Sequence, residues 1–273
     1  MSDRRGTPPP APEPLPVPVA DAHTHLDACG VKTPEDLAAA MDRAAAVGVT
    51  RVVTVADDLD SARWAAEAAT WHPGVLAAVA LHPTRTSEFG PDVRAALEEL
   101  AARPRVRAVG ETGLDHYWDY APHDAQEFAF RWHIDLAKRL GKPLMIHDRD
   151  AHDDVLRVLA EEGAPETVVF HCFSGDAAMA RTCVEAGYVL SFAGPVTFRN
   201  GGDLREAAAV VPLEQLLVET DAPFLTPDPY RGRPNEPYLA PHTVRRLAEV
   251  KGVEVAELCA AVDANAERVF GPW

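Results

Sequence analysis

The sequence predicts an α/β fold: a (β/α)8 TIM barrel in a single domain, with closing C-terminal helices. Three observations carry that reading. Eight short apolar runs of strand character lie between residues 19 and 221. Ala- and Leu-rich segments of helical period separate most of them, the signature of repeated βα units on a parallel sheet. The 273 residues also suit one barrel of about 250 residues, although a doubly wound open sheet shares the local pattern.

In chain order, residues 8 to 18 hold seven prolines, which cannot sustain helix or sheet hydrogen bonding, so residues 1–18 are expected to form a disordered leader before a barrel over 19–273. Strands are expected at VADAHTHL (19–26), RVVTVA (51–56), VLAAVAL (75–81), VRAVGE (106–111), PLMIHD (143–148), TVVFHC (167–172), YVLSFA (188–193) and LLVETD (216–221). Helical periods fill PEDLAAAMDRAAAVG, LDSARWAAEAATW, DVRAALEELAAR, AQEFAFRWHIDLAKRLG, AHDDVLRVLAEEG and DAAMARTCVEAG. Several of these close on a Gly suited to a helix C-cap. PHTVRRLAEVKG and EVAELCAAVDANAERVFG read as the two closing helices.

Composition narrows the function. Hydrophobic residues make up 47% and charged residues 25%, which excludes disorder, collagen and coiled coil. A net charge of -16 excludes a broad basic surface for coating nucleic acid or anionic membrane. Cys29, Cys172, Cys183 and Cys259 form no CxxC pair, so neither a disulfide framework nor a cysteine zinc site is suggested. No apolar run reaches the roughly 18 residues of a membrane span. Arg4 and Arg5 are followed by TPPPAPEPLPVP rather than an apolar signal core. A cytoplasmic location is expected, with no obligate protein partner.

The chemistry sits at the strand ends. His23 and His25 are two residues apart, so on a strand both point to one face and can grip one ion. A lone HxH is weak evidence. However, Glu111, His147, His171 and Asp221 stand at the C-terminal ends of four further strands, the rim where barrel active sites form. A packed barrel core does not otherwise accept so many titratable groups. Such a donor set suits Zn, Mn, Fe or Co better than Ca, and more than four ligands implies two ions bridged by a carboxylate, with Glu111 as the candidate bridge. The tryptophans at 64, 71, 118, 132 and 273 read as packing or surface groups, with base stacking at the pocket mouth a second reading for Trp118. His72, His116, His123, His133, His152 and His242 read as surface groups.

The motifs DAHTHLD (21–27), LHP (81–83), GETGLD (110–115), IHDR (146–149), HCFSG (171–175), ETDAP (219–223) and RGRPNEP (231–237), taken together and in this order, resemble those of the TatD family of metal-dependent deoxyribonucleases, within the amidohydrolase-like superfamily. The resemblance covers about residues 19–270. It implies that His23, His25, Glu111, His147, His171 and Asp221 hold two divalent ions (Mg, Mn or Zn). It also implies that Asp221 and Glu111 are catalytic, and that His82, Asp115, Arg149, Arg231, Asn235 and Glu236 shape the substrate pocket. The implied activity is 3′ to 5′ exonucleolysis of single-stranded or frayed DNA by metal-activated water, with Asp221 taking the proton.

From the residues alone, Arg149 and Arg231 can fork onto phosphate oxygens. Asp115 can instead orient a ligand histidine, and Asn235 and Glu236 can equally structure their loop. The chain departs from the family pattern at Ala222 (usually Ser), His133 (usually Gln) and His116 (usually aromatic). Two alternatives stand beside the nuclease: a hydrolase of an ester or amide bond, such as an aminoacyl-tRNA or a cyclic amide, on the same barrel, and a non-catalytic nucleic-acid or protein binding module.

Overall fold

A computed structural model describes residues 6–273. Eight parallel strands follow one another in chain order around the sheet: β1 (Val19–Thr24), β2 (Val49–Val55), β3 (Val75–Val79), β4 (Val106–Asp115), β5 (Leu144–Arg149), β6 (Val168–Phe170), β7 (Val189–Phe192) and β8 (Leu216–Val218). All eight expected strands are present. Around them run α1 (Pro34–Ala45), α2 (Leu59–Ala68), α3 (Pro91–Ala101), α4 (His123–Leu140), α5 (His152–Glu162), α6 (Ala177–Glu185) and α7 (Gly202–Val210), then α8 (Ala240–Lys251) and α9 (Val255–Phe270).

Local chemistry sets the boundaries. Thr33 and Asp58 cap α1 and α2 with reciprocal side-chain to backbone bonds, and Asp176 caps α6, satisfying amides that a helix start leaves unpaired. Gly141 and Gly252 end α4 and α8 at φ 60° and 65°, the left-handed turn that glycine adopts without strain. Helix α7 was not foreseen: it is short, begins at Gly201–Gly202 without a side-chain cap and buries little beyond Ala207 and Ala208.

The core is split in two by the sheet. Ala20, Ala22, Val53, Val55, Leu76, Ala78, Ala108, Met145, Val169, Val189 and Leu217 fill the barrel interior, where Val269 and Phe270 of α9 join them. Mostly small residues fit inside the strand ring, and α9 acts as its plug. The larger cluster lies between the outward faces of the strands and the helices.

Among the described residues no ladder joins β8 to β1; the ring closes at its rim. Thr24 and Ala222 form an isolated bridge, Asp221 N donates to His23 O (2.9 Å), and His25 N donates to Ala222 O (2.7 Å). Below them the buried Asp21 carboxylate accepts from Thr220 N (2.8 Å), Thr220 Oγ1 and His23 N (3.3 Å).

The expected disordered leader differs from what is found. Residues 7–15 run as an extended strap against the barrel. Arg233 donates to Thr7 O and Pro8 O, Tyr238 Oη to Pro9 O, and Arg245 to Glu13 O and Pro14 O, while Leu15 N donates to Val47 O and its side chain is buried. Proline removes donors, not acceptors, so the strap's carbonyls suit the arginine and tyrosine donors of the barrel. Arg4 and Arg5 lie outside the described residues. No helix among the described residues is long and apolar enough to cross a membrane.

Deleting residues 1–14 is expected to remove ~1–3 kcal/mol of stability, given about 1 kcal/mol net per well-made hydrogen bond, and to lower Tm by about 3–10 °C. Calorimetry of the truncated chain checks this; an unchanged Tm would show that the strap contributes nothing.

Candidate metal centre

The strand periodicity that placed His23 and His25 on one face is realised at the end of β1, with Nε2 of the two rings 3.2 Å apart. Glu111 comes from β4. Its local sequence, GETG, allows β4 to run tight against β5: a Cβ on Gly113 (φ 141°) would lie 2.1 Å from His147 O. Only glycine fits there. His147 is carried by β5, and His171 and Asp221 stand just beyond the last residues of β6 and β8. Asp221 adopts φ 54°, a left-handed conformation that Asp tolerates better than most residues.

Glu111 is the hub. Its carboxylate lies 2.6 Å from His171 Nε2, 3.3 Å from His147 Nδ1, 3.7 Å from His25 Nε2, 3.8 Å from His82 Nε2 and 4.0 Å from His23 Nε2. Asp221 Oδ1 faces His25 Nε2 at 3.5 Å and His23 Nε2 at 3.7 Å. All six sequence-predicted ligands therefore meet, and His82 stands beside them.

Each of the four histidines turns one ring nitrogen into the cup and the other onto a fixed neighbour. His147 Nε2 faces Asp115 Oδ2 (3.0 Å), His171 Nδ1 faces Glu219 Oε1 (3.2 Å), His25 Nδ1 faces Val55 O (3.0 Å) and His23 Nδ1 faces Met145 Sδ (3.0 Å). An acceptor behind an imidazole fixes its tautomer and leaves the inward nitrogen free to bind a cation.

The electrostatics ask for positive charge. Burial works against protonating His171, His147 and His25, yet the surrounding carboxylates push all three up, His25 to about 10. Burial works the other way on Glu111, whose carboxyl is nevertheless held well below its usual range by His171, His82 and His147. His23, backed only by a thioether, is driven down by burial and by the neighbouring His171. Glu111 Oε2 is buried without an aligned hydrogen-bond donor. Donor atoms of His23, Glu111 and His171, of His23, His25 and Asp221, and of His82, Glu111 and His147 each gather within 4.8 Å. Facing imidazole nitrogens and an orphaned carboxylate oxygen fit divalent cations, and nitrogen-rich donors favour transition metals over Mg.

Above the cup opens a cavity of about 430 Å³ lined by His25, Asp57, His82, Glu111, Asp115, Trp118, Tyr120, His147, Arg149, His171, Asp221 and Phe224, among others. Arg149 stands on this rim with its guanidinium 4.0 Å above the Tyr117 ring. Three expected pocket residues are not brought there. Arg231 packs over Phe198 (4.2 Å), Asn235 donates to Thr220 O and Phe224 O, and Glu236 pairs with Arg43 (2.7 Å). Their hydrogen bonds and stacking hold the chain after β8 against Phe198, Thr220, Phe224 and Arg43.

Asp57 is the residue missed. It lies 3.6 Å from His25 Nδ1, and burial together with Glu111 lifts its carboxyl to about 7. It follows the end of β2, so the strand-end rule that selected the other ligands also points to it. His133 was read as a surface group but is buried: Nδ1 faces Ala129 O (2.7 Å) and Leu81 N donates to Nε2 (3.3 Å). It is a neutral core imidazole with one donor and one acceptor, the two functions a glutamine amide would also supply.

A (β/α)8 barrel with a His, Asp and Glu cup at the C-terminal rim is the framework of a metal-dependent hydrolase. Residues 20–271 match the family described as TatD-related DNase, and the chain belongs to that family. A Mycobacterium tuberculosis protein named as an uncharacterized metal-dependent hydrolase TatD is 59% identical over 256 residues, spanning 92% of this chain and 97% of that one. A Citrobacter rodentium protein named 3′-5′ ssDNA/RNA exonuclease TatD is 37% identical, over 84% of this chain and 89% of its own length. The crystal structure of YJJV, a TatD homologue from Escherichia coli K12, aligns with a TM-score of 0.86 at 30% identity, covering 92% and 97% of the two chains.

Adding Mn or Zn to metal-free protein is expected to raise Tm, because a ligand that binds only the folded cup stabilises it by mass action. The increment should shrink as pH falls from about 10, because His25, His147 and His171 hold their protons above the ordinary imidazole range and must release them to bind. Glu111→Gln should abolish most of it; a Tm indifferent to metal at every pH would refute the centre.

Proposed function

We propose that the chain is a phosphodiesterase that removes nucleotides from the 3′ end of single-stranded or frayed DNA. In this reading His23, His25, Glu111, His147, His171 and Asp221 hold two divalent cations. The observation that carries it is the inward turn of four imidazole nitrogens around two carboxylates, at the floor of a cavity whose rim bears Arg149. The polarity and substrate follow the family resemblance and the name of the Citrobacter rodentium relative.

When bound, the cations would supply Lewis acidity at a phosphoryl group and a water of lowered pKa. Everything else falls to side chains. Glu111, hub of the cup, would be shared between the cations it helps to hold. Asp221 stands at the mouth side, 8% exposed, and accepts the proton of the attacking water. Asp115 and Glu219 hold His147 and His171 in their tautomers. Arg149 meets the non-bridging phosphate oxygens with a planar fork. This arrangement reconciles an acidic body of net charge -16 with an anionic substrate, since the cations and one arginine make positive charge local.

Digestion of 3′-labelled and 5′-labelled single-stranded DNA by the purified chain, with Mn, Mg or chelator, tests the reading. Metal-dependent shortening from the 3′ end is expected, and Asp221→Asn should lower kcat by about 10²–10⁴, the range of a lost general base. Intact oligonucleotides with metal bound would overturn the nuclease reading and turn the assignment to a carboxylic ester or amide.

A further inference from the structure

Large apolar side chains stand exposed around the mouth of the cup. Trp118 is 42% exposed and Tyr120 66%, both on the segment between β4 and α4; Phe224 is 52% exposed, on the chain after β8. β4 and β8 are four strands apart in the ring of eight, so these groups face each other across the opening, and all three line its cavity. Exposed aromatics gathered at one mouth mark a binding surface.

Their geometry is specific. The Trp118 and Tyr120 rings lie within 7° of parallel with centroids 5.3 Å apart, and Phe224 sits edge-on to His25 at 5.8 Å. Arg149 lies over Tyr117 and 6.0 Å from the Trp118 ring. The turn bearing these rings is tied to the metal cup by one carboxylate. Asp115 Oδ1 accepts from Tyr117 N (3.0 Å) and Trp118 N (2.9 Å), while Oδ2 faces His147 Nε2. Beyond Tyr120 a second groove, sharing Thr84, Arg85 and Tyr120 with the cavity, continues outward.

From this we infer that Trp118 and Tyr120 form a stacking platform for the bases of a single-stranded nucleic-acid end, which sets the terminal phosphodiester over the cup. The inference rests on the phosphodiesterase reading above. Flat rings beside a guanidinium match alternating bases and phosphates, and every base has a face to stack, so the grip is independent of sequence. In a duplex the bases are already stacked on one another, so the platform selects unpaired ends.

The test uses two single-stranded oligonucleotides, one unmodified and one whose two 3′-terminal nucleotides lack bases. Cleavage is measured with the wild-type chain, Trp118→Ala and Trp118→Phe; binding is measured by anisotropy in the Asp221→Asn background with and without Trp118→Ala. The wild-type chain is expected to prefer the unmodified strand by about tenfold or more in kcat/KM. Trp118→Ala should erase that preference, chiefly through KM, and Trp118→Phe should keep most of it. Cleavage with the preference intact in Trp118→Ala would overturn the platform and leave the nuclease reading standing. Trp118-dependent binding without cleavage would support the platform and remove the nuclease reading. Neither binding nor cleavage would overturn both.

Discussion

The structure depends on accommodating one buried carboxylate. Glu111 is 3% exposed and sits at the centre of the barrel mouth, where an isolated negative charge would be strongly disfavoured. Five imidazoles lie within 4.0 Å of it, those of His171, His147, His25, His82 and His23, with the Asp57 carboxyl beside them. Imidazoles can carry a proton or offer a lone pair, so the same cup is stable with protons and competent to hold cations. Carboxylates pushing His25, His147 and His171 upward show that a positive charge is already favoured there.

Holding five imidazoles against one carboxylate requires anchors behind them, and the fold supplies these from its structural parts. Val55 O belongs to β2 and Met145 to the apolar interior, whereas Asp115 and Glu219 lie within the GETGLD and ETDAP motifs. The barrel seam does the same on a larger scale. Among the described residues β8 and β1 share no ladder, and backbone hydrogen bonds join the segments that carry His23, His25 and Asp221, with Asp21 clasping Thr220 beneath them. The seam and the cup therefore share the same residues, and the Asp21 carboxyl beneath them is raised to about 8 by burial.

The residues that meet in the cup were legible in the sequence because their signal is local: a polar donor ending an apolar strand. His147, His171 and Asp221 each follow such a run, and the period of a strand puts His23 and His25 on one face. Asp57 obeys the same rule but follows VTVA without a motif to mark it. The places of Arg231, Asn235 and Glu236 were not legible because RGRPNEP has no regular period, so its path depends on contacts with Phe198, Thr220 and Arg43 that are remote in sequence. The strap was misread for a related reason. A proline run forbids helix and sheet, but whether it is seated depends on donors such as Tyr238 and Arg245, more than 200 residues away.

Asp115 joins the two halves of the site. One oxygen caps the turn that presents Tyr117 and Trp118, and the other backs His147, so the rim aromatics and a ligand of the cup share a single rigid group. Its backbone is fixed in turn by Gln126, whose Oε1 accepts from Asp115 N (2.9 Å) and whose Nε2 donates to Asp115 O (3.0 Å). With four of its bonding positions satisfied by α4 and the turn, the carboxylate has little freedom to follow His147 elsewhere. Its carboxyl is accordingly held low despite burial, by His147 and by the two backbone amides of the turn. Asp115 thus ties the aromatic rim directly to His147. The local sequence GLDHYW encodes both functions in six consecutive positions.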